Sequence, residues 1–101
     1  MKRYLENKAI DKQTFDKFLD EIYQEYNETN DIEMLDFFIN LKTGVQYMVN
    51  ILSCQVTENC VLIKEGFAFY KDVEGAENPN NDFGYPVENI TIEYDRIYNL
   101  D

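Results

Sequence analysis

The sequence has no histidine, no tryptophan and a single serine, with two cysteines, four glycines and two prolines. Without histidine it lacks the commonest general base and the commonest neutral metal ligand. Ser53 has no base near it in sequence, and Cys54 and Cys60 have no imidazole to take their protons, so nucleophilic catalysis is not expected. Two cysteines alone build neither a tetrahedral zinc site nor a disulfide framework. No glycine-rich phosphate loop is present. No apolar run approaches the roughly 20 residues that span a bilayer. Lys2, Arg3 and Lys8 are followed by no apolar stretch, so no signal peptide is expected. These absences point to a cytoplasmic protein, in a host cytoplasm if a phage encodes it, with no cofactor, no metal and no enzymatic activity.

What is present is a folding composition in a short chain. The 101 residues are expected to form one domain, 1–101, and 45% hydrophobic residues with 15% aromatics are too apolar for disorder. The formal charge is −11, from nine basic and 20 acidic residues, and it is unevenly placed. Residues 13–41 set eight acidic groups against Lys17 alone, net −7, and residues 72–101 set eight against Arg96 alone, again −7. The stretch between them is nearly neutral. A field of this sign repels nucleic acid and anionic lipid and speeds encounter with basic proteins. Direct contact with nucleic acid or membrane is therefore not expected.

The spacing predicts a helix over 11–27. Phe15, Phe18, Leu19, Ile22, Tyr23 and Tyr26 recur at three- and four-residue intervals, one face of a 3.6-residue period. Asp11 suits the N-cap, and Ile10 with Phe15 occupy the positions of a hydrophobic staple. Residues 32–41 read as a strand, because Leu35, Phe37, Ile39 and Leu41 alternate strictly; a second helix starting from Asn30 is the other reading. Lys42-Thr43-Gly44 then serves as a hairpin loop. It sets Leu41 opposite Val45, Ile39 opposite Tyr47, Phe37 opposite Val49 and Leu35 opposite Ile51, all on one face.

A second hairpin centred on Thr57 is expected to place Ile51 opposite Ile63, Tyr47 opposite Phe67, and Cys54 beside Cys60 as reduced cross-strand neighbours, with Gly66 at a bulge. Residues 73–86 read as a long loop. Within it Asn78, Asn80 and Asp82 look like the start of a calcium loop, but Phe83 and Asn89 stand where that pattern needs Gly and Glu, so an Asx turn is the better reading. A last strand is expected from Glu88 to Tyr94. The fold class is thus α+β, one N-terminal amphipathic helix on a three- to four-stranded antiparallel meander. The face away from the helix is mixed, with Phe38, Met48, Leu52, Leu62, Ala68 and Tyr70 among Asn40, Gln46, Asn50 and Lys64. Either the stretch through Ile97, Tyr98 and Leu100 or a second chain, making a homodimer, is expected to cover it.

The remaining candidate site is the acidic face of the helix with its exit: Asp16, Asp20, Glu21, Glu25, Glu28 and Asp31. Helical neighbours at these intervals lie about 5–6 Å apart, a scale similar to the roughly 3.4 Å of axis per phosphate along one DNA strand. Small size, strong acidity, abundant Tyr and Phe and a compact α+β pattern make the chain resemble phage-encoded inhibitors of host defence of the anti-CRISPR and anti-restriction type, several of which mimic DNA. The resemblance covers composition over the whole chain, rests on no motif, and carries over no functional residue. It implies a non-catalytic inhibitor of a basic, nucleic-acid-handling protein such as a nuclease or CRISPR effector. The alternatives are an immunity protein that neutralises a basic toxin, or a small oligomeric structural or assembly protein that works through the apolar sheet face.

Overall fold

The computed structural model describes residues 10–70 and 84–101. The expected Asx turn at Asn78, Asn80 and Asp82, and the 73–86 loop up to Phe83, lie outside these residues.

Helix α1 spans Lys12–Thr29. It starts where its first-turn amides find a partner: the Asp11 carboxylate accepts from the Thr14 N–H at 2.8 Å. Ile10 and Phe15 are both buried and clamp that entry. It stops at Asn30, which turns left-handed at φ 54° and sends its N–H back to the Tyr26 carbonyl at 2.7 Å. Phe15, Phe18 and Ile22 are buried along one stripe, with Leu19 and Tyr26 packed beside them and Tyr23 at its exposed margin.

The Thr14 bonds hold the Asp11 carboxyl below its ordinary value of 3.8. A carboxyl whose value is lowered on folding adds stability above its unfolded value and loses it as pH falls through the folded one. Wild type should therefore lose helix stability on acidification through 3.8 by a component that Asp11→Asn lacks, since an amide still caps but does not titrate. Thermal midpoints of both proteins measured across that range check it.

A single 3-10 turn over Ile32–Leu35 leads into the sheet, capped by Asp31, whose side chain accepts from the Glu33 N–H at 3.0 Å. The strand expected over 32–41 therefore begins only at Asp36: the Asx cap satisfies the local amides without a strand partner. The strands are β1 (Asp36–Leu41), β2 (Val45–Asn50), β3 (Cys54–Val56), β4 (Cys60–Tyr70), β5 (Tyr85–Glu93) and β6 (Ile97–Leu100), all antiparallel. Among the described residues, six strands replace the three or four expected. The first hairpin has the register read from its apolar pairs, Ile39 with Tyr47 and Phe37 with Val49. Gly44 at φ 96° takes the position that a side chain would strain.

Beyond it the register departs from expectation. Met48 pairs with Phe67, yet Cys54 pairs with Ile63, so five residues, 49–53, face only three, 64–66, across the ladder. The surplus is taken up by a 3-10 turn at Ile51–Ser53, held by the Asn50 side chain accepting from the Leu52 N–H at 2.9 Å. Tyr47 consequently pairs with Ala68, not Phe67. Ala68 turns into the core at 1% exposure, against its expected place on the outer face. The second turn closes on two residues, Glu58 and Asn59, with the Thr57 N–H bonded to the Cys60 carbonyl at 2.9 Å. Cys54 and Cys60 are thus not cross-strand neighbours; Cys60 lies opposite Glu93. Gly66 does mark an irregularity: a Cβ there would stand 2.7 Å from the Met48 carbonyl oxygen.

The sheet is forced to curl. β5 runs along one edge of β4, β2 and β3 share the other, and β1 and then β6 follow. Flat, these five positions would set β5 and β6 about 19 Å apart. The chain joins Glu93 to Ile97 in four steps, a reach of about 14 Å. The connecting turn is held at both ends: the Lys42 N–H bonds the Arg96 carbonyl at 3.0 Å, and the Tyr94 hydroxyl donates to the Thr57 carbonyl at 2.5 Å. α1 fills the trough so formed. Phe37 receives Phe15 and Phe18 edge-on, at centroid distances of 5.9 and 5.6 Å, contacts that add about 0.5–1.5 kcal/mol each to the area they bury. No polar or charged residue is buried among those described, so the core is apolar throughout.

The C-terminal stretch is β6, a strand on the free edge of β1, and not a cover for the outer face. Ile97 and Leu100 point inward and are buried, while Tyr98 sits exposed at the bulge between the Asn40 and Leu41 pairings.

Candidate partner-binding surfaces

The exposed side of α1 carries the acidic residues in two rows. At 3.6 residues per turn, Asp16 and Asp20 form one row and Glu21, Glu25 and Glu28 the other, with Lys17 and Gln24 between them. Asp20, Glu21 and Glu28 are exposed; Asp16 and Glu25 are half-buried. Asp16 is paired with Lys12, Nζ to Oδ2 at 2.9 Å, and this contact holds the Lys12 ammonium's proton more tightly than usual. Asp31 stands apart. It lies past the left-handed end of the helix and caps the following turn, so it does not extend either row. Five of the six expected residues therefore share one helix surface.

The outer face of the sheet, on the side away from α1, carries a second surface. Phe38, Met48, Phe67 and Pro86 are paired in succession across four strands and form one apolar row. A row of amides flanks it on one side: Asn99, Asn40 and Gln46, with Asn40 Nδ2 donating to Asn99 Oδ1 at 2.6 Å. On the other side lie carboxylates. Asp36 accepts from Asn50 Nδ2 at 3.0 Å, and Glu65 stands directly opposite Glu88. Between the apolar row and these acids runs an open groove of about 640 Å³, with Met48, Phe67 and Pro86 at its base and Asp36, Glu65 and Glu88 at its rim. Phe67 is 41% exposed. A register one residue out, placing Phe67 opposite Tyr47, conceals this row by turning Phe67 inward; pairing Phe67 with Met48 would have revealed it from sequence alone.

The cysteines do not assemble a reactive centre. Both are free, and burial pushes the Cys54 thiol up to about 12. Only the thiolate reacts with alkylating reagents. Iodoacetamide at mildly alkaline pH should accordingly leave Cys54 unmodified in the native protein and label it once denaturant is added; mass spectrometry of the peptides checks this. Burial likewise pushes the Tyr94 hydroxyl up to about 12, consistent with a bonded structural group at the seam of the curled sheet. Among the described residues, no three His, Cys, Asp or Glu side chains converge on one point, and no helix is long and apolar enough to cross a membrane. Compared with protein-family models, curated proteins and solved structures, the chain matches none, so its two surfaces are read from their own chemistry.

Proposed function

We propose that the protein is a non-catalytic inhibitor that works in the cytoplasm, a host's if a phage encodes it, by presenting the acidic side of α1 to a basic, nucleic-acid-handling protein of the nuclease or CRISPR-effector kind. The observation that carries this reading is the placement of Asp16, Asp20, Glu21, Glu25 and Glu28 in two rows on a single capped helix. Side-chain positions about 5–6 Å apart on a rigid rod offer a channel built for phosphates a series of negative charges on a comparable scale. The cap at Asp11 and the stop at Asn30 fix the rod's length, and its apolar stripe anchors it, so little order has to be gained on binding. The composition-level resemblance to anti-CRISPR and anti-restriction proteins agrees with this role.

The test is capture of partners on the immobilised protein from lysate over a salt series. Charge-steered association is fast and weakens steeply with salt. The expected result is a basic nuclease or nucleic-acid-binding effector that is released as salt rises and whose own activity the protein blocks. A toxin encoded beside this chain would select the immunity reading instead. Recovery of the protein alone, in self-association, would select the assembly reading.

A further inference from the structure

We propose that the groove on the outer sheet face is a second docking site, for a segment of a partner protein in which lysine or arginine alternates with apolar side chains. Its base and rim have different chemistries, and one ligand satisfies both. Met48, Phe67 and Pro86 supply an apolar floor, continued by Phe38 across β1. The row of four spans three strand spacings, about 14 Å, enough for several side chains of an extended segment, in which alternating residues project to opposite sides. Asp36, Glu65 and Glu88 supply negative charge along one border. Glu65 and Glu88 are directly cross-strand, and like charges so placed repel. A cation seated between them relieves that repulsion, so binding gains from both partners' electrostatics.

The same features argue against the other occupants. A second copy laid face to face on this groove would bring two sets of Asp36, Glu65 and Glu88 together. Nucleic acid would meet a negative rim and has no use for an apolar floor. The groove lies on the side of the sheet opposite α1, so it stands or falls separately from the helix reading.

The probe is a synthetic peptide of alternating Lys and Leu, about ten residues long, which matches a long strand. Two controls accompany it: a Lys/Ser peptide of equal charge and a Glu/Leu peptide of reversed charge. Binding to the full chain is followed by amide chemical shifts. The expected result is that Lys/Leu binds at least about tenfold more tightly than either control, the factor that roughly one well-placed contact supplies. Its shifts should centre on Met48, Glu65, Phe67 and Glu88. The double variant Glu65→Gln, Glu88→Gln should lose at least about tenfold in affinity without losing stability, because it removes a repulsive pair. Phe67→Ala should lose a similar factor. The proposal is overturned if the Lys/Ser peptide binds equally well, if the shifts map to α1, or if the double amide variant binds unchanged. It is equally overturned if light scattering shows a dimer that Phe67→Ala returns to a monomer, because a second copy then fills the groove.

Discussion

Phe15→Ala is expected to lower the unfolding free energy by about 3–5 kcal/mol, the range for truncating a buried phenylalanine. Phe15 is fully buried and sits where three parts of the fold meet: the helix start, the β1 ring of Phe37 at 5.9 Å, and the Tyr94 ring at 6.2 Å on the seam between β5 and β6. A hole at such a junction cannot collapse easily, because each wall belongs to a different element. The staple with Ile10 is lost at the same time. A domain of this size has about 5–15 kcal/mol in total, so the variant should stand close to unfolding at ambient temperature. Urea denaturation followed by circular dichroism measures it. Tyr23→Ala, on the same helix at 43% exposure, should cost less than about 1 kcal/mol. Equal midpoints for Phe15→Ala and wild type would place the centre of the core elsewhere.

The second large effect concerns the partner. Reversing Asp16, Asp20 and Glu25 to Lys converts three negative charges to three positive ones and moves the net charge from −11 to −5. Close charge pairs across an interface couple by about 1.5–7 kcal/mol. Even with substantial overlap between sites, losing three should weaken binding by more than about 3 kcal/mol, over a hundredfold. The fold should survive, since none of the three lies in the buried stripe. Losing the Asp16–Lys12 pair costs little on an exposed surface. Glu25 is half-buried, so Glu25→Gln on its own separates any packing loss from the charge effect. Surface plasmon resonance against the captured partner, at two salt concentrations, is the measurement. Binding indifferent to the reversal and to salt, but abolished by Phe38→Ala or Leu52→Ala, would move the working surface to the sheet and leave the acidity as a solubility device.

Helix α1 and the first hairpin were legible because their signals are local. A cap, a staple and a 3.6-residue stripe all lie within 20 consecutive residues, and the Gly44 loop fixes its own register. Residues 49–70 were not legible to the same depth. Their pairing depends on the surplus consumed by the turn at Ile51–Ser53, which Asn50 caps through its own side chain. Alternation of apolar residues does not report that turn, and a slip of one residue exchanges the two faces of a strand. That slip moved Phe67 inward, Ala68 outward and the cysteines together. The acidic rows on α1 followed directly from helical spacing, whereas the groove needed Asp36, Glu65 and Glu88, which lie far apart in sequence, on one sheet face. β6 was missed because four residues are too few for periodicity to declare a strand; only the free edge of β1 makes it one.

That edge has a consequence for how the protein comes into being. β1 precedes every other strand described, yet its outer neighbour β6 follows them all, and the Asn40–Asn99 bond joins residues 59 apart in the chain. Until β6 emerges, the nascent polypeptide holds Phe38–Leu41 as an open template with one flank of its oily interior uncovered, a state that other unfinished chains can extend by pairing. Completion of the trough must therefore wait for the ribosome to deliver Ile97 and Leu100, and it is slow by the measure of its long-range pairings.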